Sequence, residues 1–414
     1  MKKDLYDIAV IGGGPAGLMS AGSASETGAS VILLEKMNTC GRKLLISGSG
    51  RCNITNTIKT VKEFIDRLNV NNKFMYQALN GFKPSDTVTF FNNMGLKTAV
   101  EKGFKVFPAG EAGSDDVLRV LMRYAVTNGT EIVCGAEVTE ISHDGLFHLK
   151  TPKGDIKAKC VIISCGGMSY PKTGSAGGGY ALAEALGHHV IKPVPALVPA
   201  YSPDEWVRQA QGISLRDIGL ALYSDGRKTA VSKGDLVFTD RGISGPAVYD
   251  LSRKASGTDM RIDIDLMPDI DLAGLDAELE QKLKENNKKL IRNIIDGYAV
   301  SALVPAVFLL AGADPETRAA NLSGRDRKKL AAVLKAMPVS GVSFAGFERA
   351  VVTAGGVDTK EIDGRTMQSS VVSGLFFAGE VIDTDGPTGG FNLQICWSTG
   401  RLAGRCAAEK SKNI

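Results

Sequence analysis

Between Asp7 and Gly17 the chain reads DIAVIGGGPAG: a short run of strand formers, three consecutive glycines, and Pro15-Ala16-Gly17 opening a helix. Residues of those types at that spacing suit the seating of a dinucleotide pyrophosphate. Gly12 permits a tight turn after the strand, Gly14 lets the backbone approach phosphate oxygens, and Gly17 lets the helix lie close on the sheet. The anion then rests on the unpaired N–H groups at the helix start. A carboxylate completes the pattern. Ser30 to Leu34 reads as a buried second strand ending at Glu35, where an acidic side chain can accept hydrogen bonds from adenosine ribose hydroxyls. The bland alternative is a glycine-rich turn and a surface glutamate, which leaves the small-residue helix and its terminal Gly28 unexplained.

Three further stretches carry the same kind of chemistry. Cys40 to Asn56 combines glycines with Arg42, Lys43, Arg51, Asn53 and Asn56, a loop suited to phosphate and ring-edge contacts. A buried strand, Val161-Ile162-Ile163, breaks at Ser164-Cys165-Gly166-Gly167 and leads to Tyr170 and the run Gly177-Gly178-Gly179, a strand end open to close backbone approach. Near the C-terminus, Val371 to Phe377 leads into Ala378-Gly379-Glu380-Val381-Ile382-Asp383, and a helix is expected over Leu393 to Glu409. NAD and FAD share the adenosine and pyrophosphate, so the opening turn does not choose between them. The closing element does. A helix N-terminus at Asn392-Leu393 would stabilise the negative charge a flavin gains at N1 and the C2 carbonyl on reduction. Glu380 is placed to accept from ribityl or ribose hydroxyls, so the chain ends together favour FAD.

The elements that must position these groups follow from patterning. A chain of 414 residues exceeds one average core, and 43% hydrophobic with 23% charged residues describes a globular protein. The net charge of +4, without a dense Lys/Arg run, asks for no nucleic-acid partner. Seven cysteines lacking a CxxC pair fit reduced thiols in a cytoplasm. The N-terminal apolar run is broken by Asp4, Asp7 and the glycine turn, and Val300 to Leu310 is too short to span a bilayer, so a cytoplasmic location without membrane contact is expected. Val61 to Met94 reads as helical, Lys105 to Pro108 as extended, and Ser114 as the N-cap of a helix through Tyr124. Strands are expected at Glu131–Cys134, Ala136–Ile141, Phe147–Thr151 and Lys157–Ile163, with Val138 placed to hold an adenine edge. Pro193, Pro195 and Pro199 mark a crossing into alternating short strands up to Met267. A Lys/Leu-rich helical stretch follows from Asp271 to Lys335, and strand character returns at Phe347 to Thr353.

The chain resembles the bacterial NAD(P)/FAD-dependent oxidoreductase family, the aminoacetone-oxidase-like flavoproteins that include bile-acid dienone reductases. The resemblance is carried by Gly12–Gly17, GRKLLISGSGRCNITN at Gly41–Asn56, CGGMSYPKTGS at Cys165–Ser175, FTDRGISGP at Phe238–Pro246, TAGGV at Thr353–Val357 and FAGEVIDTDGPTGGFN at Phe377–Asn392. It implies an α/β fold: a discontinuous Rossmann-like FAD-binding domain (residues 1–194 and 347–414), an inserted β-barrel domain (195–270, with a return through 337–346) and a helical insert (271–336). It also implies FAD contacts at Gly12, Gly14, Pro15, Ala16, Gly17, Glu35, Lys36, Arg42, Lys43, Gly50, Arg51, Asn53, Val138, Cys165, Gly166, Gly167, Gly379, Glu380, Asp383, Gly390, Phe391, Asn392 and Leu393. Ser164-Cys165 departs from the Ala-Thr frequent in the family, and Asp240 stands where many members have His.

The expected reaction is NAD(P)H reduction of FAD followed by hydride delivery to a small organic acceptor such as a steroid or bile-acid enone, with Tyr170 as candidate proton donor beside a purely structural reading of that tyrosine. No second GxGxxG unit is present, so pyridine nucleotide is expected to bind transiently at the flavin face. The alternatives are an O2-using oxidase of a small amine and a non-enzymatic redox-sensing flavoprotein. A Cys40–Cys52 dithiol mechanism is disfavoured by the long spacing. His143, His148, His188 and His189 show no metal-ligand spacing, so no metal is expected. Substrate and oligomeric state stay open.

Overall fold

Every residue of Val31–Glu35 is buried, and Tyr6–Ile11 is buried at all but Asp7. Such runs suit a parallel sheet covered on both faces. In the computed structural model, which describes residues 4–68, 73–101, 103–255 and 257–414, the two strands pair in parallel. Five parallel strands stand side by side in the order Leu375–Phe377, Ile156–Ile163, Tyr6–Ile11, Val31–Glu35, Glu131–Cys134. The chain starts in the middle, winds to one side and returns to the other, so its direction of winding reverses beside Tyr6–Ile11. In open sheets of this kind ligands bind outside the carboxyl ends of the strands at that reversal. The register places Ile11, Leu34, Val133, Ile163 and Phe377 in one row at the carboxyl ends, with Glu35 and Cys134 paired one residue beyond.

The helix Pro15–Ser25 follows the first strand. Its small residues let the closing helix Phe391–Ser411 cross at backbone contact: a Cβ on Gly400 would lie 2.6 Å from the Ala16 carbonyl oxygen, and one on Gly404 2.3 Å from that of Ser20. The first and last segments of the chain thus share one core with the sheet.

Several local expectations are corrected. The stretch expected to be helical from Val61 to Met94 holds three short helices, Val61–Ile65, Tyr76–Gly81 and Pro84–Asn93, with residues 69–72 outside the described set. Gly113, not Ser114, caps the helix Ser114–Thr127. The Ser114 hydroxyl instead donates to the Leu45 carbonyl at 2.7 Å. The strand expected over Ala136–Ile141 begins only at Glu140, because the backbone of Ala136 turns back to the Glu35 carbonyl at 2.9 Å. The late strands are Val352–Val357 and Leu375–Phe377, both shorter or later than the hydrophobic runs suggest. The closing helix starts two residues early, at Phe391, because Gly390 takes the left-handed conformation (φ 83°) that caps it.

Residues 1–195 and 350–414 form one compact unit and residues 196–349 a second. The second unit is built on a seven-stranded antiparallel sheet, ordered Met337–Val339, Met260–Asp265, Ser214–Ser224, Arg227–Thr239, Gly242–Ser244, Ala200–Tyr201, Ser343–Phe344. Asp225 and Gly226, both at positive φ, turn its long hairpin, as this dipeptide does where strand twist demands a left-handed turn. Helices Leu272–Glu285, Val304–Ala311 and Gly324–Lys335 share its apolar core. Among the described residues no helix is long and apolar enough to cross a membrane.

Candidate functional site

The three glycines of the opening turn do three different things. Gly12 has φ 103°, and a Cβ there would meet the Ser164 carbonyl oxygen at 2.7 Å. Gly17 lies so close to the turn that a Cβ would sit 1.9 Å from the Gly12 carbonyl oxygen. At Gly14, by contrast, a Cβ would meet no described atom within 4 Å. That open space belongs to a cleft of about 1290 Å³, solvent at its mouth included, lined by Gly12, Gly14, Pro15 and Ala16. No side chain caps the helix Pro15–Ser25, so its first-turn N–H groups are left for a ligand.

At one end of the cleft stands Glu35, only 9% exposed. One carboxylate oxygen accepts from the Gly13 N–H at 2.7 Å and the other from the Met37 N–H at 2.8 Å. The carboxylate therefore braces the glycine turn and keeps acceptor capacity on both oxygens for ribose hydroxyls. Lys36, Thr39, Glu137 and Val138 complete this end. Cys165 lines the floor, its thiol pushed up to about 12 by burial, so it stays protonated.

Further along, four sequence motifs meet in one charge network. Lys43 Nζ bonds Glu380 at 2.6 Å and also donates to Ser169. The other Glu380 oxygen accepts from Ser169 Oγ at 2.7 Å and from the Thr353 N–H at 2.9 Å. Thr353 Oγ1 accepts in turn from the N–H groups of Met168 and Ser169 at 2.8 and 3.1 Å. Gly167 has to be glycine for this, since a Cβ would sit 2.4 Å from Thr353 Oγ1. Lys43 and Glu380 face the cleft, and Arg42 adds a second cation. Val351, Val352, Leu393 and Asn392 also line the wall. The Asn392 side chain ties down the preceding loop by accepting from Gly386 N–H and donating to Gly386 O, both at 2.9 Å.

The cleft thus gathers Gly12, Gly14, Pro15, Ala16, Glu35, Lys36, Arg42, Lys43, Val138, Cys165, Gly166, Glu380, Asn392 and Leu393. The remaining expected contacts do not line it. Gly17 and Gly379 serve helix packing, the latter against Ala16. With its amide oriented to suit its neighbours, Asn53 donates to the Thr55 and Val106 carbonyls and accepts from Gly390 N–H at 2.9 Å. Gly50 and Phe391 are likewise off the wall, and Phe391 packs on Phe64 with ring centroids 4.7 Å apart. Arg51 is exposed, paired with Glu101 and stacked on Phe107. Asp383 is buried, its carboxyl raised above the usual range by burial and by Asp385. Tyr170 is half-buried in left-handed backbone (φ 51°) and does not line the cleft, although Thr173, Gly174 and Ser175 just beyond it do. Sequence reading missed Thr39, Ser47, Ser169, Val351 and Val352. These small or apolar residues carry no signal outside the fold.

Residues 6–406 match the family model described as HI0933-like protein Rossmann domain. The chain is 30% identical over 412 residues to the 3-dehydro-bile acid delta(4,6)-reductase of Clostridium scindens, covering 97% of this chain and 99% of that protein. It is 31% identical over 410 residues to the ribosomal RNA dihydrouridine synthase of Haemophilus influenzae, covering 97% and 98%. Among solved structures it is similar in fold to the 3-ketosteroid-delta4-(5alpha)-dehydrogenase of Rhodococcus jostii RHA1, with TM-score 0.53, 14% identity and coverage of 99% of this chain and 97% of that one.

Proposed function

The chain belongs to the HI0933-like Rossmann-domain family, and from that premise we propose that it is an FAD-dependent reductase that draws electrons from NAD(P)H and saturates a carbon–carbon double bond conjugated to a carbonyl. The observation that carries this reading is one continuous cleft joining the opening glycine turn, the Lys43–Glu380 pair and the start of the closing helix. Its donors and acceptors suit FAD in kind. FAD bound there would supply hydride transfer. The chain's own groups do the rest. First-turn N–H groups of the helix Pro15–Ser25, with Lys36 and Arg42, would hold the pyrophosphate. Glu35 would accept from the ribose. The N–H groups at Asn392 and Leu393 would face the electron-rich edge of the ring, while Val351, Val352 and Leu393 exclude water. Lys43 sets its Nζ against Glu380 at 2.6 Å within the wall.

The two relatives' names support the acceptor class. A 3-dehydro-Δ4,6 bile acid carries its double bonds in conjugation with a ketone, and making dihydrouridine saturates a uracil double bond next to a carbonyl. A steroid-like enone is therefore the first reading. A uracil ring in RNA is the second, favoured by the 31% identical synthase.

Anaerobic stopped-flow mixing with NADH or NADPH should bleach the yellow protein. A dienone steroid or uridine-containing RNA should then restore the colour and gain two hydrogens. Bleaching by amines and not by nicotinamides, with rapid recovery in O2, would replace this reading by the oxidase. Because Tyr170 lies off the wall, Tyr170→Phe is expected to leave the recovery rate unchanged.

A further inference from the structure

Cys40 and Cys134 are 94 residues apart in sequence, yet their sulfurs lie 4.0 Å from each other. The separation follows from the fold. Cys134 ends the strand that pairs with Val31–Glu35, Gly135 N–H donates to the Met37 carbonyl at 2.9 Å, and Gly41 N–H donates to the Gly13 carbonyl at 2.9 Å. Two loops leaving adjacent strand ends are therefore held side by side with a thiol on each. Among the described residues neither thiol belongs to a disulfide, and no group of three or more metal-ligating side chains surrounds them. Neither sulfur lines the cleft, so the proposed reduction does not use them.

We propose that Cys40 and Cys134 form a reversible disulfide when the protein meets a hydroperoxide. A disulfide needs the sulfurs about 2 Å apart, a closure within reach of side-chain rotation and a small shift of the Lys36–Cys40 loop. Cys134 is partly exposed, whereas Cys40 is 4% exposed, so Cys134 meets the oxidant. Its thiolate attacks one peroxide oxygen, the O–O bond breaks, and Cys134 becomes a sulfenic acid as the second oxygen leaves as water or alcohol. Cys40 sulfur then displaces the sulfenic oxygen, which departs as water with the Cys40 proton. Two thiols are oxidised and one peroxide is reduced. Burial, Cys134 and Glu35 all push the Cys40 thiol up, so Cys40 is not the sulfur that meets the peroxide first, and its place 4.0 Å from the Cys134 sulfur makes it the one that closes the bond.

The test uses the full-length, FAD-loaded protein treated with hydrogen peroxide, alkylated and cut with trypsin. Cys40 falls in residues 37–42 and Cys134 in residues 124–150, each the only cysteine of its peptide. The expected product is the two peptides joined, lighter by two hydrogens than their sum and separated again by dithiothreitol. Cys40→Ser should leave Cys134 as a sulfenic acid trapped by dimedone, and Cys134→Ser should leave Cys40 alkylatable after peroxide. Recovery of both wild-type peptides unjoined, whether alkylated or with Cys134 carried to sulfinic acid, would overturn the proposal.

Discussion

The two compact units put their sheltered charged side chains to different uses: in one they line a cleft, in the other they tie elements together. In residues 1–195 and 350–414, Glu35, Lys43, Ser169, Thr353 and Glu380 are drawn inward at the ends of parallel strands and bond to each other or to backbone. In residues 196–349 the ion pairs are as sheltered as Lys43–Glu380 but tie elements together: Arg327 with Asp276 at 2.8 Å joins two helices, and Lys335 with Asp265 at 2.7 Å joins a helix to the sheet. The contrast follows from sheet type. Parallel strands all end on one edge, where the chain must turn with its N–H groups unpaired, and ligand-binding chemistry collects there. Antiparallel hairpins return locally and satisfy their backbone groups within the sheet.

The most damaging way to break this contrast is Gly17→Val. Its Cβ would collide with the Gly12 carbonyl, so the loss should exceed about 3 kcal/mol and the purified protein should lack the visible flavin bands. A core truncation in the other unit should separate stability from cofactor binding. Leu334 is fully buried, and Leu334→Ala should cost about 2–5 kcal/mol in urea unfolding while FAD affinity stays unchanged. Lys43→Met should weaken FAD binding by about tenfold, roughly 1.4 kcal/mol, read by flavin fluorescence. Lys43→Met combined with Glu380→Gln should recover part of that loss, because the double change no longer leaves a carboxylate uncompensated in the wall.

The smallest effect concerns pH, and it belongs to the first unit, which holds all four histidines. His188 is buried, with Nδ1 3.0 Å from Glu361 and Nε2 2.8 Å from Ser369 Oγ. Burial lowers its pKa, partly opposed by Glu361. The fold thus favours the neutral ring. Its contribution to stability is intact above about pH 6.5 and is lost as pH falls through the depressed native value. His188→Gln should flatten that acid limb of the thermal unfolding profile and leave the melting temperature at pH 8 little changed relative to the other variants.

Particular residues show how far the order of amino acids reaches. Gly12, Gly14, Gly17 and Glu35 are readable because their demands are local: a positive φ, an open approach and a carboxylate at the next strand end each follow from a few neighbouring residues. The hairpin at Asp225-Gly226 is local in the same sense. Val138 is less readable. It reaches the cleft, but from irregular backbone, because Ala136 is pulled back to Glu35 by a bond that no pattern of alternation contains.

What only the tertiary structure decides is which distant groups become partners. Lys43 and Glu380 lie 337 residues apart, and each by itself reads as a free charge awaiting a ligand. Folding makes them an ion pair, sends Arg51 to the surface and turns Asn53 into a clasp on Gly390. Steric rules act over a few bonds and leave their mark in the sequence. Charge pairing acts through space, and its outcome depends on which strand ends the sheet places side by side.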